Sequence, residues 1–341
     1  MEKKSTKIVD MHTHVAPRMA VKIANEGGTW HGIKFSRDKD GKLSTSSGSE
    51  TMVLPWPKKM ETPEMRLESM DKRKVDMHVL SLSPLMHWHG LDKSDCVPFA
   101  KDTNDDIADY IQTDTSRYKG FGFLPLQDTD SAVRELERCV KDLGFLGAMV
   151  STHVNGLDWD SDKLFPVLEM ADSLGALIFF HPTRGGRANS WLNKYHLRNL
   201  IGNPLETTNA IASIIFGGVM DKLPNIKLCF AHAGGYACHG IGRFDHGYNV
   251  RPEASEGIKN LPSDYVKKMY FDSITHSDRS LRYLIDTVGS SQVLLGSDYP
   301  ADMGEPYPVD FVKNCKTITD DEKKLILSEN IKEIGRASCR E

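Results

Sequence analysis

Short apolar runs of strand length recur along this chain, and four of them stop on residues of the kind that bind metals. The four endings are Asp10-Met11-His12-Thr13-His14, Phe179-Phe180-His181-Pro182, Phe230-Ala231-His232 and Leu295-Gly296-Ser297-Asp298-Tyr299-Pro300. Runs that are apolar at nearly every position suit parallel strands covered on both faces. Eight strands are expected, at residues 7–11, 75–82, 120–125, 147–151, 177–181, 226–232, 269–272 and 293–298. Amphipathic helices are expected between several of them, at 130–143 (Ala132, Val133, Leu136, Val140 and Leu143 on one face), 162–174 and 206–223. Parallel strands need such crossovers, and eight strand–helix repeats close naturally into a (β/α)8 TIM barrel of the α/β class. In that fold the strand C-termini gather at one mouth, so the four endings would meet.

Residues 17–63 interrupt the rhythm. Gly27-Gly28, the run from Asp38 to Lys42 and the run from Ser44 to Ser49 are expected as turns, with Leu43 and Met52-Val53-Leu54 as short strands. This reads as a small β-rich insertion after strand one, placed to roof a pocket or to form a surface loop. One domain is expected over 1–334, with a last helix at 325–331. Residues 335–341 lack apolar periodicity and are set aside as a non-native or disordered tail.

Charge and composition exclude several classes of partner. The 341 residues carry 43 Lys and Arg against 47 Asp and Glu, a net charge of −4, with no basic bias toward nucleic acid. No stretch of membrane-spanning length is apolar throughout, and the start shows no secretory leader pattern. The six cysteines form no C-x-x-C pair and are expected as reduced thiols in a cytoplasmic protein.

Residues i and i+2 of a strand share a face, so His12 and His14 can hold one ion. Alone, H-x-H is a weak signal. His181 and Asp298 at two further strand ends strengthen it, because three imidazoles and a carboxylate suit a zinc-like divalent ion. The strand-four end reads Met149-Val150-Ser151-Thr152-His153-Val154-Asn155, with no lysine to bridge a second ion, so one metal is expected. His153 is either substrate-facing or a packing histidine. His232 is either an acid/base group beside the metal or a fourth imidazole ligand, and the small Ala233-Gly234-Gly235 beside it would let backbone approach a ligand closely.

With these segments in view, the chain resembles the amidohydrolase superfamily, in its aminocarboxymuconate-semialdehyde decarboxylase-like branch of metal-dependent decarboxylases. The resemblance spans about 7–330. It rests on residues 10–14, the run from Glu135 to Gly144, Thr152-His153-Val154-Asn155, His181-Pro182, the run from Gly202 to Thr208, Cys229-Phe230-Ala231-His232, the run from Gly242 to Gly247, and the run from Leu295 to Pro300. It implies one zinc per subunit on His12, His14, His181 and Asp298, with His232 activating the bound water. Asp298 is either ligand and proton carrier at once or ligand only, and Mn2+ or Co2+ are alternatives to zinc on the same residues. The resemblance also implies a homodimer in which Arg243 reaches a substrate carboxylate in the neighbouring subunit, with Arg251 matching a nearby arginine.

Three positions depart from the pattern. A substrate-binding arginine is expected just after Asp40-Gly41-Lys42, where Leu43, Ser44 and Thr45 stand, with Arg37 and Arg66 nearest. An expected tryptophan is Asn199, and an expected aromatic is Ala301. The expected activity is therefore non-oxidative decarboxylation of an unsaturated or aromatic carboxylic acid, a small-molecule carboxylate of open identity. A metal-dependent hydrolase of an ester, lactone or amide is the alternative, and a metal-binding protein without turnover is a third reading.

Overall fold

The computed structural model describes residues 7–48, 50–54, 62–183 and 191–337. Its strands in chain order are β1 (Val9–Val15), β2 (Gly28–Trp30), β3 (Ile33–Arg37), β4 (Leu43–Ser47), β5 (Glu50–Val53), β6 (Met77–Leu82), β7 (Tyr118–Gly120), β8 (Gly122–Phe123), β9 (Gly147–Ser151), β10 (Leu177–His181), β11 (Lys227–Phe230), β12 (Tyr270–Asp272) and β13 (Val293–Leu294). One parallel sheet has the order β1-β6-β7, and a second runs β13-β12-β11-β10-β9-β8. Backbone hydrogen bonds tie their edges. The Met11 N–H donates to the Leu295 carbonyl at 2.9 Å and the His14 N–H to the Tyr299 carbonyl at 2.7 Å. At the other side, the Phe121 N–H donates to the Leu80 carbonyl at 2.8 Å and the Leu146 N–H to the Gly120 carbonyl at 2.9 Å.

Alternate residues of β10 explain its unbroken apolar run. Leu177 and Phe179 pack inward with Met11, Val79, Met149 and Cys229. Ile178 and Phe180 point outward into the layer between sheet and helices, with Leu168, Ile214 and Phe230. Both faces are dry, so neither tolerates a polar residue until His181 at the strand's end.

β9 and β10 match the sequence expectation residue for residue, whereas other boundaries moved for identifiable reasons. β1 starts two residues late and runs on to Val15, with a bulge between Asp10 and Thr13, so His12 and His14 lie within it. β13 keeps only two residues, because the Leu295 N–H turns to the Ile326 carbonyl at 3.1 Å, although the chain stays beside β1 through Asp298, whose N–H donates to the His12 carbonyl at 2.9 Å. The run expected at 120–125 is split, with Phe121 between β7 and β8. The helix expected at 206–223 is two helices, Asn203–Phe216 and Val219–Lys222, separated by Gly217 and by Gly218 in a left-handed conformation (φ 67°). A 20-residue helix, Lys93–Gln112, was not anticipated.

Between β1 and β6 lies a four-stranded antiparallel sheet of order β2-β3-β4-β5. The serine-rich stretch expected as a turn is β4 up to Ser47, paired with β3 and β5. Ile33, Phe35, Leu43 and Leu54 form its core against Met86, Trp88 and Phe99, so the serines ride on a strand anchored by its apolar neighbours. The last helix runs Asn330–Ala337. Positions 335–337 of the segment set aside as a tail therefore lie on helical backbone, and 338–341 fall outside the described residues. No helix among the described residues is long and apolar enough to cross a membrane.

Candidate metal centre

His12, His14, His181 and Asp298 meet at one point, with one ligand atom from each within 4.8 Å of all the others. All four are buried. β1 supplies two imidazoles, β10 the third at its last residue, and the loop after β13 the carboxylate. The closest approaches are His12 Nε2 to His14 Nε2 at 3.1 Å, His14 Nε2 to Asp298 Oδ1 at 3.0 Å and His12 Nε2 to Asp298 Oδ1 at 3.3 Å.

The outer nitrogens show that this set suits a divalent cation. His12 Nδ1 is 2.7 Å from Asp272 Oδ2, and His181 Nδ1 is 2.7 Å from the Pro182 carbonyl. His14 Nδ1 is 2.9 Å from Ser81 Oγ, whose own proton goes to the Thr13 carbonyl at 2.8 Å. In each case Nδ1–H donates, which leaves the Nε2 lone pair aimed at the common point, the tautomer that a metal ligand needs. The buried Nε2 of His181 has no hydrogen-bond partner there. An orphaned acceptor of this kind is costly unless something electropositive meets it.

Without an ion the electrostatics are frustrated. Burial pushes His14 down to about 4 and His181 to about 3, so both stay neutral. Burial also acts to lower His12, but Asp298 and Asp272 outweigh it and raise its pKa to about 10. Asp298 would be raised by burial, yet the histidines around it hold it well below the carboxylate range. One proton on His12 thus compensates two carboxylates, the charge that a cation would carry instead.

Asp272 was not anticipated as a site residue. It is the last residue of β12 and fully buried. Besides His12 it accepts from the backbone N–H of His232 at 2.8 Å, of Ala233 at 2.9 Å and of Ile274 at 3.1 Å. The same signal that marked the other ligands, a carboxylate closing an apolar strand, was present at 269–272. Asp10, at the head of the His12–His14 segment, is a strut. It accepts from the N–H of His12 and of Ser297, both at 3.1 Å, and from the Ser297 hydroxyl, while burial raises its pKa to about 7.

His232 stands beside the set, its Nε2 3.5 Å from Asp298 Oδ2. His232 and Ala233 adopt left-handed φ values of 54° and 55°, and Asp298 one of 60°. Such a conformation costs a non-glycine residue roughly 1–2 kcal/mol, and here Asp272 offsets it by accepting from both N–H groups. The small residues after His232 let neighbouring protein approach closely. A Cβ on Gly235 would lie 2.1 Å from the Pro204 carbonyl oxygen, and one on Gly234 would meet Phe271 at 2.6 Å. Gly296 is constrained likewise, since a Cβ would approach those of Asp272 and His12 at 2.9 and 3.0 Å.

Three of the ligands, His14, His181 and Asp298, form the floor of a cavity of about 490 Å³ whose walls include Met52 and Val53 from β5, Leu85, Asn199 and Ala301. Two of the three departures from the family pattern thus line it. The third does not, since Leu43, Ser44 and Thr45 are absent from its lining. Arg66 does not substitute, being buried with its guanidinium 2.5 Å from the His14 carbonyl and 4.8 Å from the Tyr299 ring centre. Arg37 bonds Asn25 and the Gly41 carbonyl. His153 lies 3.8 Å from Glu206 and outside the cavity lining. Arg243 is exposed on the helix Ala237–Val250, and Arg251, also exposed, pairs with Glu253 at 2.6 Å. Neither lines its own chain's cavity.

The fold and the centre have counterparts among known proteins. The amidohydrolase family profile matches residues 9–334. The 2-amino-3-carboxymuconate-6-semialdehyde decarboxylase of Dictyostelium discoideum is 34% identical over 331 residues, covering 94% of this chain and 89% of that protein. The crystal structure of 5-carboxyvanillate decarboxylase from Sphingomonas paucimobilis superposes with a TM-score of 0.79 at 24% identity, covering 97% of this chain and 99% of that one. A dihydroxybenzoic acid decarboxylase from Polaromonas, solved with bound manganese and the inhibitor 2-nitroresorcinol, gives a TM-score of 0.77 at 22% identity over 98% of each chain. A profile match across nearly the whole length and a decarboxylase relative of this identity, joined to the three-imidazole, one-carboxylate floor, establish that the chain belongs to the amidohydrolase family, in its branch of metal-dependent decarboxylases.

Proposed function

We propose that the protein releases CO2 without oxidation from an unsaturated or aromatic carboxylic acid bound over the four-ligand floor. The observation that carries this reading is His232 beside a ligand set whose lone pairs already converge. A divalent ion held by His12, His14, His181 and Asp298 would supply Lewis acidity to a carboxylate or neighbouring oxygen. Loss of CO2 leaves an electron pair on carbon, and a free carbanion in an apolar cavity is prohibitively costly. His232 Nε2, backed by Asp298, is placed to hold a proton at that carbon, so that cleavage follows its protonation. Asp272 keeps His232 in position through the backbone, and Met52, Val53 and Leu85 shed water from the reacting face.

Zinc is the ion we favour, since three imidazoles and one carboxylate suit it, with Mn2+ or Co2+ as alternatives. One ion per subunit fits the single four-ligand group found among the described residues. Edge bonds between the two parallel sheets support their closure into one (β/α)8 barrel domain over 1–334, with the antiparallel sheet as an insertion at 17–63 roofing the cavity. The exposure of Arg243 supports a homodimer in which it completes the neighbouring site, with Arg251 nearby. Among the described residues, five free, buried cysteines suit the reducing cytoplasm.

The test is to screen carboxymuconate-type semialdehydes, dihydroxybenzoates and lactones for CO2 release, with metal content measured alongside. Gas release that follows metal content is expected. A product carrying water-derived oxygen, with no gas, would instead make the protein a hydrolase. Arg243→Ala should be inactive alone and regain activity in mixed dimers with a subunit lacking a metal ligand; absence of rescue sinks the shared site.

A further inference from the structure

We propose that Arg66 is a positioning residue for the metal centre, clamping the end of β1 against the Asp298 loop so that the His12 and His14 imidazoles and the Asp298 carboxylate keep the spacing a cation needs. The inference concerns the ligand set and holds whichever reaction runs above it.

Arg66 lies on the helix Pro63–Lys72 and is 1% exposed. Its guanidinium donates to the His14 carbonyl at 2.5 Å and to His78 Nδ1 at 3.3 Å, and among the described residues it pairs with no carboxylate. Its Nε has no hydrogen-bond partner. Burying a guanidinium costs desolvation, and apolar side chains of similar size are often neutral or stabilising in such a place. Fold stability alone therefore does not account for an arginine here.

Its contacts do. The carbonyl it grips belongs to a ligand residue whose own N–H donates to the Tyr299 carbonyl at 2.7 Å. The Tyr299 ring centre is in turn 4.8 Å from the guanidinium carbon, a cation–π contact. One side chain thus holds both partners of a backbone bond that joins β1 to the residue after Asp298. The adjoining bond, from the Asp298 N–H to the His12 carbonyl at 2.9 Å, lies in the same seam.

A second arm reaches His12. Arginine only donates, so His78 Nδ1 accepts and its proton sits on Nε2, which faces Asp10 Oδ2 at 3.8 Å. Burial keeps His78 neutral, and the tautomer is fixed. Asp10 in turn accepts from the N–H groups of His12 and Ser297. The two arms of one planar fork therefore end on two metal ligands, a task for which a single ammonium is not equivalent.

The experiment loads the protein with Co2+, whose visible absorption reports ligand geometry, and measures affinity by competition with a chelator. Arg66→Met should bind Co2+ roughly 10-fold or more weakly, the scale for residues that orient ligands from behind, and should shift the absorption band. Arg73→Met is the control, because Arg73 stacks on the same Tyr299 ring at 4.4 Å and, among the described residues, makes no hydrogen bond to a ligand. Its affinity should stay within about 2-fold of wild type, with the band unmoved. Denaturant midpoints are read alongside. A lowered midpoint in Arg66→Met with wild-type affinity and spectrum would make Arg66 ordinary support and overturn the proposal, as would equal losses in the Arg66 and Arg73 variants. If the methionine form does not fold, Arg66→Lys carries the test: a point donor in place of the fork should still weaken Co2+ binding by roughly 3-fold or more. Wild-type affinity in that variant refutes the clamp.

Discussion

The floor and the rim of the cavity are built on opposite plans. Every floor ligand belongs to a strand or its immediate end, is buried, and has its outer atoms tethered, as His12 is by Asp272 and His14 by Ser81. The rim comes from the edge of β5 and from the segment around Tyr195 to Asn199, where side chains are exposed and backbone is turned by left-handed residues. The contrast teaches that chemistry is held by the sheet and selectivity by what lies over it, so the two can change independently.

The floor half of that contrast is broken most severely by removing a ligand. His12→Ala or His181→Ala should lose metal and activity together, measured by elemental analysis and CO2 release; retained stoichiometric metal would show that the ligand set is wrong. His232→Ala comes next, keeping metal while losing rate by roughly 10²–10⁴-fold, the usual scale for an acid/base group. Metal loss in that variant would move His232 into the ligand set.

Smaller again is Asp272→Asn, which should weaken metal affinity by roughly 10–100-fold, because it disturbs the proton and orientation of His12 without removing a ligand. Competition with a chelator measures it, and wild-type affinity would mean that His12 needs no such partner.

The metal-free protein sharpens the comparison through pH. His14 and His181 have lowered pKa values, so below an ordinary histidine value of about 6.5 the unfolded chain takes up protons that the folded one refuses, and stability falls as pH drops toward 4 and 3. His12 has a raised value, so its contribution is full below about 6.5 and is lost as pH rises toward about 10. Metal-free stability should peak near neutrality, with slopes on the order of 1 kcal/mol per pH unit on each side. Denaturant midpoints read this, and a His12→Ala variant that kept the alkaline slope would contradict it. The smallest effect is expected at the rim, where Val53→Ala should alter stability by no more than about 0.5 kcal/mol and leave metal content untouched.

The same division decided what could be read without coordinates. β9 and β10 were legible to the residue because burial on both faces leaves a signal at every position. His12 and His14 were legible because the strand period is 2. Asp272 carried the same strand-end signal as the ligands, but its duty could not be read from it because its partner, His12, lies 260 residues away. Gly235 misled because the atom it makes room for, the Pro204 carbonyl oxygen, belongs to a helix start that local spacing cannot bring near. The helix Lys93–Gln112 was overlooked although its buried Phe99, Thr103, Ile107 and Tyr110 keep a helical spacing, because polar residues and Pro98 dilute that stripe.

Asp272 has a consequence that reaches past any one of its bonds. The same carboxylate grips the His12 ring and the amides of His232 and Ala233. Cation loading and acid/base alignment are therefore mechanically linked, and His232 in stripped enzyme is not a fair proxy for His232 at work. Lesions at His12 and His232 should fall short of adding up, since each already forfeits part of what the other supplies.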